Sequence, residues 1–421
     1  MKILVVGSGG REHTLADRLA ASPRVEQVVC APGNAGTAAV AENVAVGADD
    51  HAALADLAVE RKVDLTVVGP EAPLCGGIVD RFESAGLRIF GPTAAAARIE
   101  GDKSYAKQLM HRCLVPTAEG RIFTEFKSAK TYVATRDTPQ VVKAAGLAAG
   151  KGVIVCDDPA DAILALEEIM VEGKLGEAGR KVVVEEKLQG PELSILALVD
   201  GRTIYVLESS QDHKPVGEGD TGPNTGGMGA YSPAPIATEQ VFEQIESEIL
   251  VPIVDGLRND GAPYRGVLYA GLMLTPAGPK VLEFNCRFGD PEAQAVLLRL
   301  QSDLAEALEA TVTGRLEEIE LRWDPRPAVC VVMASQGYPG AYEKGKVITG
   351  LDEVVAMDDV KVFHAGTRSH LGGTITNGGR VLGVTALGDT IPQARSRAYQ
   401  AVDKIHFEGA FCRWDIAARV E

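Results

Sequence analysis

No stretch of this sequence approaches the 18 or so consecutive apolar residues that a membrane-spanning helix needs, which argues against a membrane span. No cysteines are spaced Cys-x-x-Cys. The seven (Cys30, Cys75, Cys113, Cys156, Cys286, Cys330, Cys412) are odd in number and scattered, which suits reduced thiols in a cytoplasmic chain better than a disulfide frame or a zinc site. Positive charge is in deficit: 42 Lys and Arg stand against 58 Asp and Glu, for a formal net charge of −16. That balance argues against nucleic-acid coating, although local residues can still hold one small phosphate ligand. Internal repeats and low-complexity tracts are lacking as well. The apolar start, Met1 to Gly7, is interrupted by Arg11, Glu12 and His13 after one strand length, so it reads as a buried first strand and not as a signal peptide.

What is present is material for several cores: 421 residues, 46% of them hydrophobic. Up to about residue 100, short apolar runs (Lys2–Val6, Gln27–Cys30, Leu65–Val68, Arg88–Phe90) alternate with helical patterns (Arg11–Ala21, Ala52–Arg61, Ile78–Ala85). This order predicts a parallel sheet with helices on both faces. A helix is expected near Lys103–Arg112. A smaller unit follows, with strands Val141–Ala144, Val153–Cys156 and Lys181–Glu186 and a helix from Pro159 to Met170. Strands near Leu193–Leu198, Thr203–Leu207, Val267–Leu274 and Lys280–Phe284 come next, and a last module carries strands Ala328–Ala334 and Arg380–Leu387. The glycine-rich stretch Gln211 to Pro235 reads as a long, structureless and therefore functional loop.

Two glycine loops invite phosphate. Gly7-Ser8-Gly9-Gly10 lies between a strand and a helix, but Glu12 stands where a dinucleotide fingerprint needs glycine, and the second strand ends at Cys30-Ala31 without a ribose-binding acid. A nicotinamide site is excluded; anion binding at the helix start and a tight packing turn remain open. Gly146-Leu147-Ala148-Ala149-Gly150-Lys151-Gly152 fails as a Walker A loop, having three residues between glycines and glycine after lysine. As the tip of a β-hairpin it could still fold over a triphosphate, with Lys151 and Lys143 adding charge.

The densest chemical signal is Glu283 to Glu292. On a strand, Glu283 and Asn285 project to one face and offer two hard oxygens suited to Mg²⁺ carrying ATP phosphates, while Arg287 continues the alternation toward a phosphoryl group or carboxylate. His213, one histidine in a loop, is weak evidence for a base.

These segments together resemble the phosphoribosylamine–glycine ligase (glycinamide ribonucleotide synthetase) family of the ATP-grasp superfamily. The motifs that carry the resemblance are Gly7 to His13, Ala31 to Thr37, Val68 to Leu74, Phe90 to Thr93, Gly146 to Gly152, the 211–235 loop, Glu283 to Glu292, Gly337 to Gly340, Val362 to Thr367 and Thr376 to Leu382. They span the chain in order. The resemblance implies an α/β architecture: an N-terminal Rossmann-like sheet (1–102), an ATP-grasp domain (103–326) with a small lid at about 121–190, and a small C-terminal α/β domain (327–421). It implies joining of glycine to 5-phosphoribosylamine at the expense of ATP through glycyl phosphate, the second step of purine biosynthesis, with Mg²⁺ or Mn²⁺, by a cytoplasmic monomer that engages neither nucleic acid nor membrane. Residue by residue, Lys103, Lys143, Gly146, Gly150, Lys151 and Gly152 would meet ATP phosphates. Glu185, Glu186 and Leu188 would form the adenine hinge, and Glu192 would hold the ribose. Glu283 and Asn285 would bind the metal. Asp212, Asn224 and Arg287 would surround glycine. Gly9, Gly10, Gly69, Pro70, Glu71, His213, Lys214, Gly226, Gly227, Met228 and Gly229 would bind the phosphoribosyl substrate. The chain departs from the family pattern at Ala145, where an aspartate is usual, and at Pro215, where an arginine is expected. Rival readings are another ATP-grasp carboxylate–amine ligase and a nucleotide-binding module without catalysis.

Overall fold

The computed structural model describes residues 1–148 and 150–420; Ala149, inside the expected phosphate loop, lies outside the described residues. The first sheet is all parallel, in the order Glu42–Asn43, Gln27–Pro32, Lys2–Gly7, Leu65–Val68, Ile89–Phe90. Its central strands are continuous apolar runs because helices cover both faces. Behind it, Asp102 caps the helix Lys103–Arg112 by accepting the N–H groups of Ser104 and Tyr105. One turn apart on that helix, Lys103 and Lys107 share a face.

The lid is an antiparallel sheet in the order Gly120–Phe123, Val182–Glu186, Gln140–Ala144, Val153–Cys156. Helices Phe126–Ala134 and Pro159–Leu166 bury one face of it around Val142, Val184 and Leu166. Strand alternation then sends Lys143 and Glu185 out of the opposite face. The helix expected to reach Met170 changes at Leu166 to a wider turn over Glu167–Val171.

A central antiparallel sheet runs Ile204–Val206, Glu192–Asp200, Arg265–Thr275, Gly278–Asn285. Gly271 opposes Glu283 and Leu272 opposes Val281, so Leu282 is an extra residue in the ladder. This bulge frees the Leu282 carbonyl, which accepts from Lys143 Nζ at 2.9 Å, and it re-aims Glu283 and Asn285.

The segment read as a structureless loop is structured. Gln211–Asp212 and Gly229–Ser232 enter the sheet of the last module, in the order Gln211–Asp212, Gly229–Ser232, Ala328–Ser335, Arg380–Leu387, Val360–His364. Between them a short hairpin pairs Pro215–Gly217 with Thr221–Asn224. The strands are too short, and too rich in glycine, for local pattern to reveal them; their partner lies about a hundred residues on.

The first and last sheets meet through histidines. The His364 N–H donates to His13 Nδ1 at 2.8 Å, and Asn34 Nδ2 donates to the His364 carbonyl at 2.7 Å. Burial, with His364 and Lys361 nearby, pushes His13 down to about 3; burial pushes His364 down to about 4. Both rings therefore fold neutral. Their contribution is fully present above the unfolded value near 6.5 and is lost as pH falls toward 4, costing roughly 2 kcal/mol per ring by pH 5. Urea unfolding at pH 7.5 and pH 5 should show that loss, and His364→Gln should flatten it; an unchanged pH dependence in the variant would remove this ring from the effect.

Candidate active site

A cavity of about 410 Å³ opens where the lid, the central sheet, the first sheet and the last sheet converge. At its inner end Glu185, 5% exposed, lies between two ammonium groups: Lys107 Nζ at 2.5 Å and Lys143 Nζ at 2.6 Å. Burial pushes Glu185 up, but Lys143 and Lys107 outweigh it and hold the carboxyl below its ordinary range. Lys107 also donates to Thr117 Oγ1 and the Ala118 carbonyl. Lys103 Nζ donates to the Gly146 carbonyl at 3.2 Å; burial lowers its pKa, with Glu283 opposing. Met110, Val153 and Leu282 supply apolar wall beside these charges.

Glu283 and Asn285 face the same cavity from the strand beyond the bulge. Among the described residues neither side chain is engaged by a protein hydrogen-bond partner, so their oxygens are available to a ligand. The cavity lining balances seven basic side chains (Arg11, Lys103, Lys107, Lys143, Lys214, Arg287, Arg380) against seven acidic ones (Glu71, Glu100, Glu185, Asp212, Glu283, Asp290, Glu292). The protein alone thus offers a triphosphate no net positive charge, and the two free hard oxygens fit a divalent cation that would supply it. Among the described residues no three His, Cys, Asp or Glu side chains converge on a closed metal site. Two protein donors leave the other coordination positions to phosphate and water oxygens.

At the mouth, Arg287 bridges Glu71 (Nε to Oε2, 3.3 Å) and Glu100 (Nη2 to Oε1, 3.2 Å). Burial works against the guanidinium's charge, but the two carboxylates raise its pKa overall. Burial pushes Glu100 up even with Arg287 beside it. Arg380, from the last sheet, donates to the carbonyls of Gly226 and Asp290, both at 2.6 Å. Deeper in, Lys214 Nζ lies 2.6 Å from Glu192 Oε2 and 2.9 Å from Asp212 Oδ1. Burial, with Glu292 and Glu192 near and only Lys214 opposing, pushes Asp212 up to about 7.

Of the residues expected from the sequence, the structure brings Lys103, Lys143, Gly150, Gly152, Glu185, Pro70, Glu71, Asp212, Lys214, Gly226, Glu283, Asn285 and Arg287 to one cavity wall. It leaves Gly69, Asn224, Lys151, Leu188, Glu192 and Gly227 off that wall, Glu192 reaching it only through Lys214. At several of the other expected positions the structure shows contacts within the protein. The N–H of Gly9 is taken by Glu12 Oε2 at 2.5 Å, and a methyl group at Gly69 would overlap the Glu12 carboxylate. Gly9 and Gly69 make room for Glu12, whose carboxylate caps the helix from within, and Asp290 accepts the Arg11 N–H at 3.3 Å; Gly10 stands in the same filled turn. Gly146 ties its N–H to the Ala178 carbonyl and packs its α-carbon against Ala178, so it serves lid packing. Glu186 lies on the outer face of its strand, bonded to the Glu119 N–H and Lys280. His213, between two cavity-facing neighbours, turns to the opposite side, where its Nε2 accepts the Ala417 N–H and burial lowers it to about 4. Met228 and Gly229 are buried in the last module.

Sequence reasoning missed Lys107, Glu100 and Tyr269, and it gave no individual role to Asp290, Glu292, Tyr338 and Arg380, which stand inside the motifs named above. Lys107 had a visible signal, four residues after Lys103 on one helix; Arg380 stood within the 376–382 motif, but only tertiary structure carries it to the cavity.

Residues 1–100, 101–293 and 328–419 match, in that order, the N domain, the ATP-grasp (A) domain and the C domain of phosphoribosylglycinamide synthetase. A phosphoribosylamine–glycine ligase of Allochromatium vinosum is 56% identical over 100% of this chain and 98% of its own length; one of Rhodopirellula baltica is 53% identical over 99% and 97%. Among solved structures, the phosphoribosylamine–glycine ligase of Thermotoga maritima superimposes with a TM-score of 0.84 at 33% identity, covering 99% of this chain and 100% of that one. A biotin carboxylase of Campylobacter jejuni, at 15% identity and a TM-score of 0.72 over 97% of this chain and 92% of its own, shares the fold. With three consecutive domains matched and half or more of its residues shared with such relatives, the chain belongs to the phosphoribosylamine–glycine ligase family of ATP-grasp enzymes.

Proposed function

We propose that the family's reaction, joining glycine to 5-phosphoribosylamine with ATP in the second step of purine biosynthesis, takes place in this cavity by way of glycyl phosphate. The observation that carries the reading is the meeting of Lys103 and Lys143 with the free oxygens of Glu283 and Asn285 and with the Arg287 guanidinium in one enclosed space.

Lys103 and Lys143 hold the triphosphate beneath the loop that carries Gly150 and Gly152. The chain near Leu188 reads the base, and Glu192 holds the ribose. Glu283 and Asn285 would hold Mg²⁺ or Mn²⁺, which would supply positive charge against the phosphates. Arg287 orients the glycine carboxylate, one oxygen of which attacks the γ-phosphorus as ADP departs. The amine of 5-phosphoribosylamine then attacks the glycyl carbonyl carbon, the bond from that carbon to the phosphate oxygen breaks, and the nitrogen loses a proton. Asp212, which lines the cavity and which burial pushes up to about 7, would take it. The lid excludes water, which would otherwise hydrolyse the acyl phosphate. We read the enzyme as a monomer working in the cytoplasm.

Purified protein given ATP, glycine and freshly generated 5-phosphoribosylamine should release one ADP per amide formed. ADP release that ignores glycine, or equal turnover with another amine or amino acid, would overturn the assignment in favour of a different carboxylate–amine ligase.

A further inference from the structure

Arg413 is 1% exposed and lies outside the cavity. All three of its guanidinium nitrogens are engaged: Nε and Nη2 meet the two oxygens of Asp415 at 2.8 and 2.7 Å, Nη1 donates to the Pro215 carbonyl at 2.9 Å, and Nη2 reaches Asp220 Oδ1 at 3.1 Å. Three further bonds join the same two segments. Gly219 N–H donates to Asp415 Oδ2 at 2.8 Å, Trp414 N–H to Glu218 Oε1 at 3.2 Å, and Ala417 N–H to His213 Nε2 at 3.4 Å. Arg419 meets the other oxygen of Asp220. On its far side the 413–417 segment is anchored to the helix Ile391–Val402: Tyr399 Oη donates to the Arg413 carbonyl, Arg395 donates to the carbonyls of Trp414 and Ile416, and the Tyr399 and Trp414 rings stack.

The gripped hairpin is poorly able to hold itself. It pairs only Pro215 with Asn224 and Gly217 with Thr221, with a register shift between, and prolines at 215 and 223 remove two N–H donors. Yet its two ends are cavity residues. Lys214 precedes it and Thr225 follows it; the Lys214 carbonyl accepts from both the N–H and the Oγ1 of Thr225, which in turn accepts the Gly227 N–H at 2.9 Å.

We propose that Arg413 is a positioning residue for ligation: with Asp415 it clamps the 215–224 hairpin to the C-terminal segment, and so fixes Lys214 and Thr225 at the cavity wall. The assignment rests on the proposed role of that cavity. A fork of charge-assisted bonds to a buried guanidinium sets geometry that an ammonium does not reproduce.

The test uses Asp220→Asn at the hairpin tip, Asp415→Asn, Arg413→Lys and the Asp220/Arg413 double variant of the full chain. Asparagine suits position 220, whose φ is 58°. Each single variant should lower kcat by roughly tenfold with KM for ATP little changed, because small misplacements of reacting groups are expensive. Amide exchange across 214–227 should accelerate in both aspartate variants, while the melting temperature barely moves for Asp220→Asn and falls for Asp415→Asn, which takes the two-oxygen partner from buried Arg413. The double variant should be no slower than Arg413→Lys alone, since both remove one connection. Wild-type kcat and unchanged exchange in folded Asp220→Asn and Asp415→Asn proteins would overturn the clamp; these two decide the matter if Arg413→Lys does not fold. A wild-type protein without glycine-dependent ADP release would instead refute the proposed reaction, while the exchange measurement would still test the clamp.

Discussion

Alanine in place of Glu283 should yield a well-folded protein whose ligation rate is at least roughly a thousandfold below that of the parent chain. The two halves of that expectation have separate causes. The side chain is half-buried, lies past the bulge at Leu282, and supports no protein hydrogen bond among the described residues, so its removal strands no buried partner. Its value is to the ligand. In the proposed role, with acidic and basic groups balanced around the cavity, loss of this carboxylate would weaken the hold on the cation that offsets the triphosphate. Glu283→Gln, which keeps the volume and one oxygen but loses the charge, should fall between the two and respond to raised Mn²⁺. Circular dichroism and thermal melting check the fold, and ADP release checks the rate. Near-normal turnover in a folded Glu283→Ala protein would remove this residue from the metal site.

Arg287→Ala should be the most damaging single change at the mouth of the site, and the damage should depend on pH. The guanidinium neutralises Glu100 and Glu71 together. Without it Glu100, 8% exposed and bonded to the Cys286 N–H at 2.7 Å, is left charged and without a cation. Breaking a buried pair in this way costs about 3–5 kcal/mol. Burial already holds Glu100 above the ordinary carboxylate value, and losing Arg287 raises it further. A group raised on folding contributes stability below its unfolded value and loses it as pH rises through the folded value, so the variant should be much weaker than wild type at pH 8 and closer to it at pH 5. Urea titrations at the two pH values measure this. Arg287→Met combined with Glu100→Gln should recover most of the stability but none of the activity, separating the structural duty of the pair from the chemical one. Equal destabilisation at both pH values would place the effect elsewhere.

Much of the scaffold was legible because its cause is local. The strands Lys2–Gly7 and Leu65–Val68 are unbroken apolar runs, the helix Lys103–Arg112 has Asp102 as its cap, and the Glu283/Asn285 pair needs only strand alternation to share a face. Alternation was also the rule overlooked at His213: with Asp212 and Lys214 facing the cavity, the residue between them had to face away. The Gly9–Gly10 turn misled for a different reason. Glycines that admit a ligand and glycines that admit a neighbouring side chain look alike in one dimension, and here Glu12 fills the space at Gly9 and Gln294 that at Gly10. What stayed hidden were pairings at long range: Gly229–Ser232 against Ala328–Ser335, and Arg380 carried from the last sheet to the Asp290 carbonyl. No local pattern encodes a partner a hundred residues away.

That distant pairing bears on how the molecule can be taken apart. A fragment ending near residue 326 would strip Gly229–Ser232 of its neighbour, exposing a bare ladder edge beside the cavity, and would remove the arginine that braces Gly226. Swapping in a foreign terminal module would meet the same obstacle unless the graft brought a strand to receive Gly229–Ser232. The last stretch of polypeptide is therefore no appendage: it is woven into the cavity wall, and the protein must be expressed and engineered as one fabric.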